Sequence, residues 1–161
     1  MEKATLLEGP SQMPFYTDLR TVFKAFGGRQ IEFNWLLTNI ECNFHPDELQ
    51  SALQSNHRAW LSGETLTRLV EQHDIQFIWG VLSGFTSDVI LDPNHLEVVP
   101  YADGNRAFWA SGVKIQHPLA VVELVCWDSS ATLLLSRDAD LTTRFRTFFP
   151  QAVDLDVYNQ Q

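Results

Sequence analysis

The chain has 161 residues and a formal net charge of −9 at pH 7, a length that fits one domain at ~150 residues per domain. Hydrophobic residues make up 45% of the chain and charged residues 19%, which excludes an intrinsically disordered protein. We expect no nucleic-acid partner, because phosphate binding needs a basic surface, and no membrane partner, because no run approaches the ~18 apolar residues of a membrane span.

Residues 1–14 (MEKATLLEGPSQMP) contain no basic segment followed by an apolar core, and so lack the pattern of a signal peptide. We predict that residues 1–14 form a flexible leader and that residues 15–161 form a single folded domain. The simplest expectation is then a cytoplasmic protein. Cys42 and Cys126 are too few for a disulfide framework, and we expect both to pack as buried thiols.

Start and stop signals of helices recur along the chain. Helices are expected at residues 18–26, 46–56, 63–73 and 138–149. Thr17 or Asp18 is a suitable N-cap for the first of them, Ser62 for the third and Asp138 for the fourth. Pro46 stands at the first position of the second helix, where acidic residues follow it and complement the helix dipole.

Runs of apolar, β-branched and aromatic residues predict the strands. Strands are expected at residues 30–44, 75–85, 96–101, 106–111, 120–127, 131–136 and 153–158. Ile31, Phe33 and Trp35 alternate with polar residues in the first run, while the second is apolar almost throughout, as in a strand buried on both faces. Asp103-Gly104 and Asp128-Ser129-Ser130 predict tight turns of two hairpins.

These elements predict one α+β domain. We expect a mostly antiparallel sheet centred on residues 75–85 and 120–136, with three to four helices packed mainly on one face. The stretch 153–158 is expected to be an edge strand.

No catalytic or cofactor-binding motif is present. The histidines form no H-x-x-x-H or H-E-x-x-H pair, and the glycine-rich phosphate-binding loops are missing. We therefore predict no metal site, no cofactor and no catalytic residues. His45 lies close to Asp47 and Glu48, but electrostatics at the start of a helix accounts for that grouping.

The distribution of charge is the feature most informative about function. No Lys or Arg occurs between Arg68 and Arg106, an interval that contains several carboxylates. These are Glu71, Asp74, Asp88, Asp92, Glu97 and Asp103. The interval between Arg29 and Arg58 also lacks basic residues and contains Glu32, Glu41, Asp47 and Glu48. This pattern is typical either of a solvated acidic face or of a docking surface for a cationic partner.

Aromatic residues favour the docking surface, because Trp and Tyr are enriched in the centres of interfaces. We expect Trp35, Trp79 and Trp127 in the core, and Trp60 and Trp109 beside loops at the surface. The predicted partner-binding residues are three carboxylates and one aromatic anchor: Asp88, Asp92, Asp103 and Trp109.

The order of elements resembles a family of small bacterial proteins that share a domain of unknown function. The resemblance is carried by the sequence WLSGE at residues 60–64, the apolar run 75–85, and residues 121–135 around Asp128-Ser129-Ser130. A closing helix and a last strand follow in both. This chain departs from the family in the longer, proline-rich stretch 86–118, and the family implies no activity. In size, acidity and lack of a catalytic motif, the chain is also similar to the immunity proteins of bacterial toxin systems.

We therefore expect an acidic, cytosolic binding protein, specifically an immunity protein that docks its acidic surface on the basic site of a toxin. Two other functions stay open. One is a small-molecule enzyme with an acid–base pair among His45, Glu48, His95 and Asp128. The other is a structural subunit of a homo-oligomer that pairs through residues 153–158; the sequence leaves the oligomeric state open.

Overall fold

A computed structural model describes residues 1–8, 17–53 and 56–161. The strands in these ranges are β1 (Lys3–Glu8), β2 (Asn34–Cys42), β3 (Ala59–Ser62), β4 (Phe77–Phe85), β5 (Val122–Trp127), β6 (Ala131–Ser136) and β7 (Val153–Asp154). The helices are α1 (Leu19–Ala25), α2 (Asp47–Leu53), α3 (Gly63–Gln72), α4 (Ala139–Phe148) and α5 (Leu155–Asn159). Two 3-10 helices cover Arg29–Glu32 and Arg106–Trp109.

The strands form one antiparallel sheet in the order β3-β2-β4-β5-β6-β1-β7. Because successive side chains of a strand point to opposite faces, apolar residues are divided between two cores. On the first face, α1 to α4 pack against strand residues such as Trp35, Leu82 and Leu124. The predicted α+β fold, with an antiparallel sheet and helices mainly on one face, is confirmed.

The second face of the sheet is covered mostly by irregular chain rather than by helices. Residues of the stretch 86–121, among them Ala102, Phe108 and Ile115, pack with Leu155 of α5 against Val125 and neighbouring strand residues. We call the stretch 86–121 the covering segment. It carries all four of the residues that the sequence predicts to bind a partner.

Predicted N-caps are confirmed in three helices. The Asp18 side chain accepts a hydrogen bond from the Arg20 N–H, and the Ser62 hydroxyl accepts one from the Thr65 N–H. Asp138 accepts from the first-turn amides of α4. These bonds satisfy N–H groups that have no partner inside the helix.

The flexible leader is wrong for the residues that the structure describes. Lys3–Glu8 forms β1, which lies between β6 and β7 and is buried at Ala4, Leu6 and Leu7. The apolar run is short and is flanked by charged residues, so it gives only a weak strand signal in the sequence. In the structure, neighbouring elements cover both of its faces. Residues 9–14 of the predicted leader lie outside the described residues.

Four predicted strands are shorter or differently folded. Residues 29–32 form a 3-10 helix that leaves Ile31 50% exposed, and β2 begins only at Asn34. Asp103-Gly104 does not join two strands: residues 96–101 are irregular, and the Asn105 side chain caps the 3-10 helix Arg106–Trp109. At the C-terminal end of the described chain, only Val153–Asp154 is a strand, because Asp154 caps α5.

The two thiols differ in exposure. Cys126 is buried, as predicted, whereas Cys42 is half-buried. Burial raises the pKa of Cys42 to about 11 and raises that of Cys126 further, so both stay protonated thiols at neutral pH. No helix in the described ranges has the length and apolarity needed to cross a membrane.

Candidate partner-binding site

The site begins at an irregularity between β2 and β4. Their pairing changes register between Thr38 and Glu41, where Asn39 has a φ of +51° and Gly80 a φ of +148°. The Thr38 hydroxyl and the Asn39 side-chain amide both donate hydrogen bonds to the Pro100 carbonyl oxygen, at 2.7 and 3.2 Å. A bulge bends a strand and redirects its side chains, and here it also holds the covering segment against the sheet.

A partly buried polar network fixes the next part of the covering segment. Gln116 receives hydrogen bonds from the Tyr101 N–H and the Asn105 amide, and its own amide donates to the Tyr101 carbonyl oxygen and to Glu123. The Gln116 backbone N–H donates to the second Glu123 oxygen at 2.8 Å. Glu123 lies in β5 and is fully buried. The loop 101–105 is therefore tied to the sheet through one side chain.

The bulge and this loop enclose a cavity of about 400 Å³. It is lined by Asn39, Glu41, Trp79, Tyr101 and Asp103, and we call it the Trp79 cavity. Two aromatic residues and two acidic residues thus line the same space. The carboxylates of Glu41 and Asp103 are on exposed residues, and Tyr101 is 46% exposed, so the cavity is open to a partner.

A row of aromatic rings continues from the Trp79 cavity across the second face. The ring centroids of Trp79 and Trp127 are 4.9 Å apart, those of Trp127 and Trp109 5.1 Å, and those of Trp109 and Tyr158 6.3 Å. All three tryptophans are half-buried, although Trp79 and Trp127 are predicted to lie in the core. Edge-to-face packing of this kind holds each ring in one orientation.

The predicted partner-binding residues do not form one cluster. Asp103 lines the Trp79 cavity, and Trp109 is in the aromatic row. Asp92 accepts hydrogen bonds from the Asn94 N–H and from His95 in an exposed turn. No contact in the described part of the chain joins Asp88 to the other three residues.

Asp88 and the Trp79 cavity lie near opposite ends of strand β4. Asp88 follows Phe85, the last residue of β4, whereas Trp79 is near the first residue of that strand. The two strand positions are roughly 20 Å apart at ~3.3 Å per residue. The turn at Asp92 lies beside the start of β3, where the Arg58 side chain donates to the Pro93 carbonyl oxygen. The carboxylates are therefore distributed over one face.

These acidic side chains are not paired with Lys or Arg in the described part of the chain. Among the described residues, Glu41, Asp88 and Asp103 make no ion pair with Lys or Arg. A hydrogen bond from the Thr86 hydroxyl lowers the pKa of Asp88. Hydrogen bonds from the Asn94 N–H and His95 lower the pKa of Asp92.

Two arginines are engaged away from the second face. Arg29 contacts Glu32, Asp138 and Asp140 at distances near 3 Å, which ties the first 3-10 helix to the start of α4. Arg68 pairs with Glu48 at 2.7 Å.

The covering segment itself carries two exposed basic residues, Arg106 and Lys114. Neither forms an ion pair with a carboxylate of the described residues. The unpaired carboxylates of the second face therefore remain available to a cation from outside the molecule.

The residues considered for acid–base catalysis have different surroundings. Glu48 pairs with Arg68, and His95 pairs with Asp92 in the exposed turn. His45 lines a separate cavity of about 210 Å³, and Asp128 is in the turn between β5 and β6, with a φ of +48°. The cavities lined by Arg20, by His45 and by Trp79 each contain at most one of these four residues. In the described ranges, no group of three or more His, Cys, Asp or Glu side chains is placed to hold a metal ion.

Glu41, Trp79 and Tyr101 are the site residues that the sequence prediction missed. Only the acidic character of the interval containing Glu41 signals it, because the β2–β4 bulge that brings Glu41 to Trp79 leaves no motif in the sequence. No family model, no curated protein and no solved structure matches this chain. The resemblance to a bacterial family of unknown function stays a prediction.

Proposed function

We propose that this chain is an acidic binding protein that docks a basic protein partner on the second face of its sheet. The observation that carries the proposal is the set of exposed carboxylates on that face, which no Lys or Arg of the described chain neutralises. Half-buried tryptophans beside them supply rigid apolar area. Acidic residues at the rim of an interface speed the encounter with a basic surface. Aromatic anchors then pack tightly against that surface.

The finer proposal is a cytoplasmic immunity protein that neutralises a bacterial toxin. A toxin acting on nucleic acid or another anionic substrate presents a basic site, and an acidic protein placed over that site blocks access to it. The net charge of −9 fits this role. The contact residues are Asp88, Asp92 and Asp103, with Trp109 as the aromatic anchor.

Charge reversal tests the proposal. The variant Asp88→Lys/Asp92→Lys/Asp103→Lys removes acidic charge from the covering segment. The control variant Asp47→Lys/Glu64→Lys/Glu71→Lys changes the net charge equally on exposed residues of α2 and α3, on the other face. Circular dichroism and urea unfolding establish that both variants fold.

Both variants and the wild type are then used to capture proteins from the native lysate at low and high salt. We expect the wild type and the control to retain one basic protein at low salt, and the covering-segment variant to lose it. With the purified partner, association of that variant should be slower and less dependent on salt, since long-range attraction is screened by ions. Equal capture by the two variants would overturn the assignment of this face.

The immunity role requires a further result. Expression of the captured partner alone should arrest growth of the host cells, and co-expression of the wild type should restore growth. Co-expression of the covering-segment variant should not. If the partner is harmless when expressed alone, the proposed immunity function is wrong, while the proposal of a binding protein stands.

A further inference from the structure

We propose that the Trp79 cavity receives an arginine side chain of the partner. This inference rests on the proposed function, which it refines by naming the chemical group that enters one position of the docking face. The cavity is distinct from the predicted contact residues except for Asp103. Its other lining residues are Asn39, Glu41, Trp79 and Tyr101.

The lining matches the chemistry of a guanidinium group. Arginine is planar, stacks on aromatic faces and donates paired hydrogen bonds to carboxylates. Trp79 and Tyr101 offer the aromatic rings, and Glu41 and Asp103 offer the carboxylates. The Asn39 amide nitrogen already donates to the Pro100 carbonyl oxygen, which leaves its amide oxygen as a further acceptor.

Other classes of ligand fit the lining less well. Among the described residues, no Lys or Arg lines the cavity, so an anion would meet two acidic residues without a counter-charge. An apolar side chain would bury those carboxylates without a hydrogen bond, which is costly. The volume of about 400 Å³ lies within the range of about 300–1,000 Å³ that is usual for ligand pockets.

The walls of the cavity are already ordered. Trp79 packs against Trp127 with centroids 4.9 Å apart. Tyr101 is held through its backbone by Gln116, which is bound in turn to the buried Glu123. The Trp79 ring and the Tyr101 backbone are therefore fixed before a cation enters, and this part of the site costs little ordering on binding.

The test uses N-acetyl-arginine amide as the probe and follows the tryptophan indole N–H signals by NMR. N-acetyl-citrulline amide is the neutral control, since it keeps the shape of the side chain but lacks the charge. N-acetyl-lysine amide shows how far a compact ammonium substitutes for the guanidinium. The Trp79 signal is assigned by its loss in Trp79→Phe.

We expect arginine amide to shift the Trp79 signal saturably and citrulline amide to leave it nearly unchanged. The variant Glu41→Gln/Asp103→Asn should weaken arginine amide about tenfold, because charge-assisted hydrogen bonds are lost. The control Asp47→Asn/Glu64→Gln removes equal charge on α2 and α3 and should change the affinity less than about twofold. Equal shifts with citrulline amide, or equal affinity of the two variants, would overturn the inference.

The captured partner separates this inference from the proposed function. If the partner binds the wild type, and Glu41→Gln/Asp103→Asn weakens it no more than the control does, the arginine assignment fails while the docking face stands. If arginine amide fills the cavity but no basic partner is captured by the wild type, the proposed function fails while the chemistry of the cavity stands. If the partner's affinity falls as that of the probe does, both hold.

Discussion

Glu123 gives the sharpest prediction about stability, because it is a carboxylate with no exposed surface. Burial raises its pKa from 4.5 to about 7, against the opposing effect of the two hydrogen bonds from Gln116. The negative charge of Glu2 raises the pKa further and the positive charge of Arg137 lowers it. The perturbation that removes this titration is Glu123→Gln.

The direction in which stability changes with pH depends on whether the folded or the unfolded protein keeps Glu123 protonated. Between pH 4.5 and about 7 the folded protein keeps Glu123 protonated, while the unfolded chain has released that proton. The contribution of Glu123 to stability is therefore fully present below pH 4.5 and is lost as the pH rises through about 7. At about 1.4 kcal/mol for each pKa unit, the whole effect is about 3 kcal/mol.

Urea unfolding of the wild type and Glu123→Gln, measured at intervals from acid to mildly alkaline pH, provides the assay. The free energy of unfolding of the variant, relative to the wild type, should increase by about 3 kcal/mol across that range. Glu97→Gln, which removes an exposed carboxylate of the covering segment, serves as the control and should show a much smaller trend. A difference that is constant with pH, or that falls as the pH rises, would refute the reasoning.

Two further predictions concern single atoms in the cores. In the described part of the chain the Ser83 hydroxyl is buried without a hydrogen-bond partner, so Ser83→Ala should increase the free energy of unfolding by about 1 kcal/mol. Ser136→Ala should decrease the free energy of unfolding by about as much, because the buried Ser136 hydroxyl bonds to the Asp138 N–H and carbonyl oxygen, both at 3.0 Å. If urea unfolding showed that the two serine variants change stability in the same direction, this interpretation of the two hydroxyls would be wrong. A Cβ at Gly63 would lie 2.6 Å from the Ile31 Cα and closer still to the Gln30 carbonyl oxygen, so Gly63→Ala should cost about 3 kcal/mol. Gly112→Ala, where a Cβ meets nothing within 4 Å but φ is +78°, should cost only about 1 kcal/mol; similar melting curves for the two glycine variants would show that the contact at Gly63 relaxes.

Local signals predicted the elements whose residues interact with near neighbours in the chain. Ser62 and Asp138 cap α3 and α4 as expected, since an N-cap bonds within its own first turn. The hairpin of β5 and β6 is likewise formed across a short turn. The apolar run that becomes β4 is recognisable because both of its faces are covered.

Elements that depend on residues distant in the chain could not be predicted from the sequence. β1 is a strand only because β6 and β7 pair with it, and its residues alone resemble a loose segment. Asp103-Gly104 has the letters of a hairpin turn, yet Gln116 and Asn105 hold the chain beside it in another conformation. The candidate site shares this difficulty, because the β2–β4 bulge and the covering segment bring its residues together from three separate parts of the chain.

The position of β1 has a consequence for how the protein reaches its native state. Leu6 pairs with Leu133 on one side and Val153 on the other, so this strand has contacts of very high sequence separation, a property that slows folding. At synthesis rates of about 5–20 residues per second, the first strand waits on the order of ten seconds before its partners leave the ribosome. During that interval Ala4, Leu6 and Leu7 have no sheet to join and stay exposed on the nascent chain. The order of the sheet therefore means that the first strand to be synthesised is among the last to be buried.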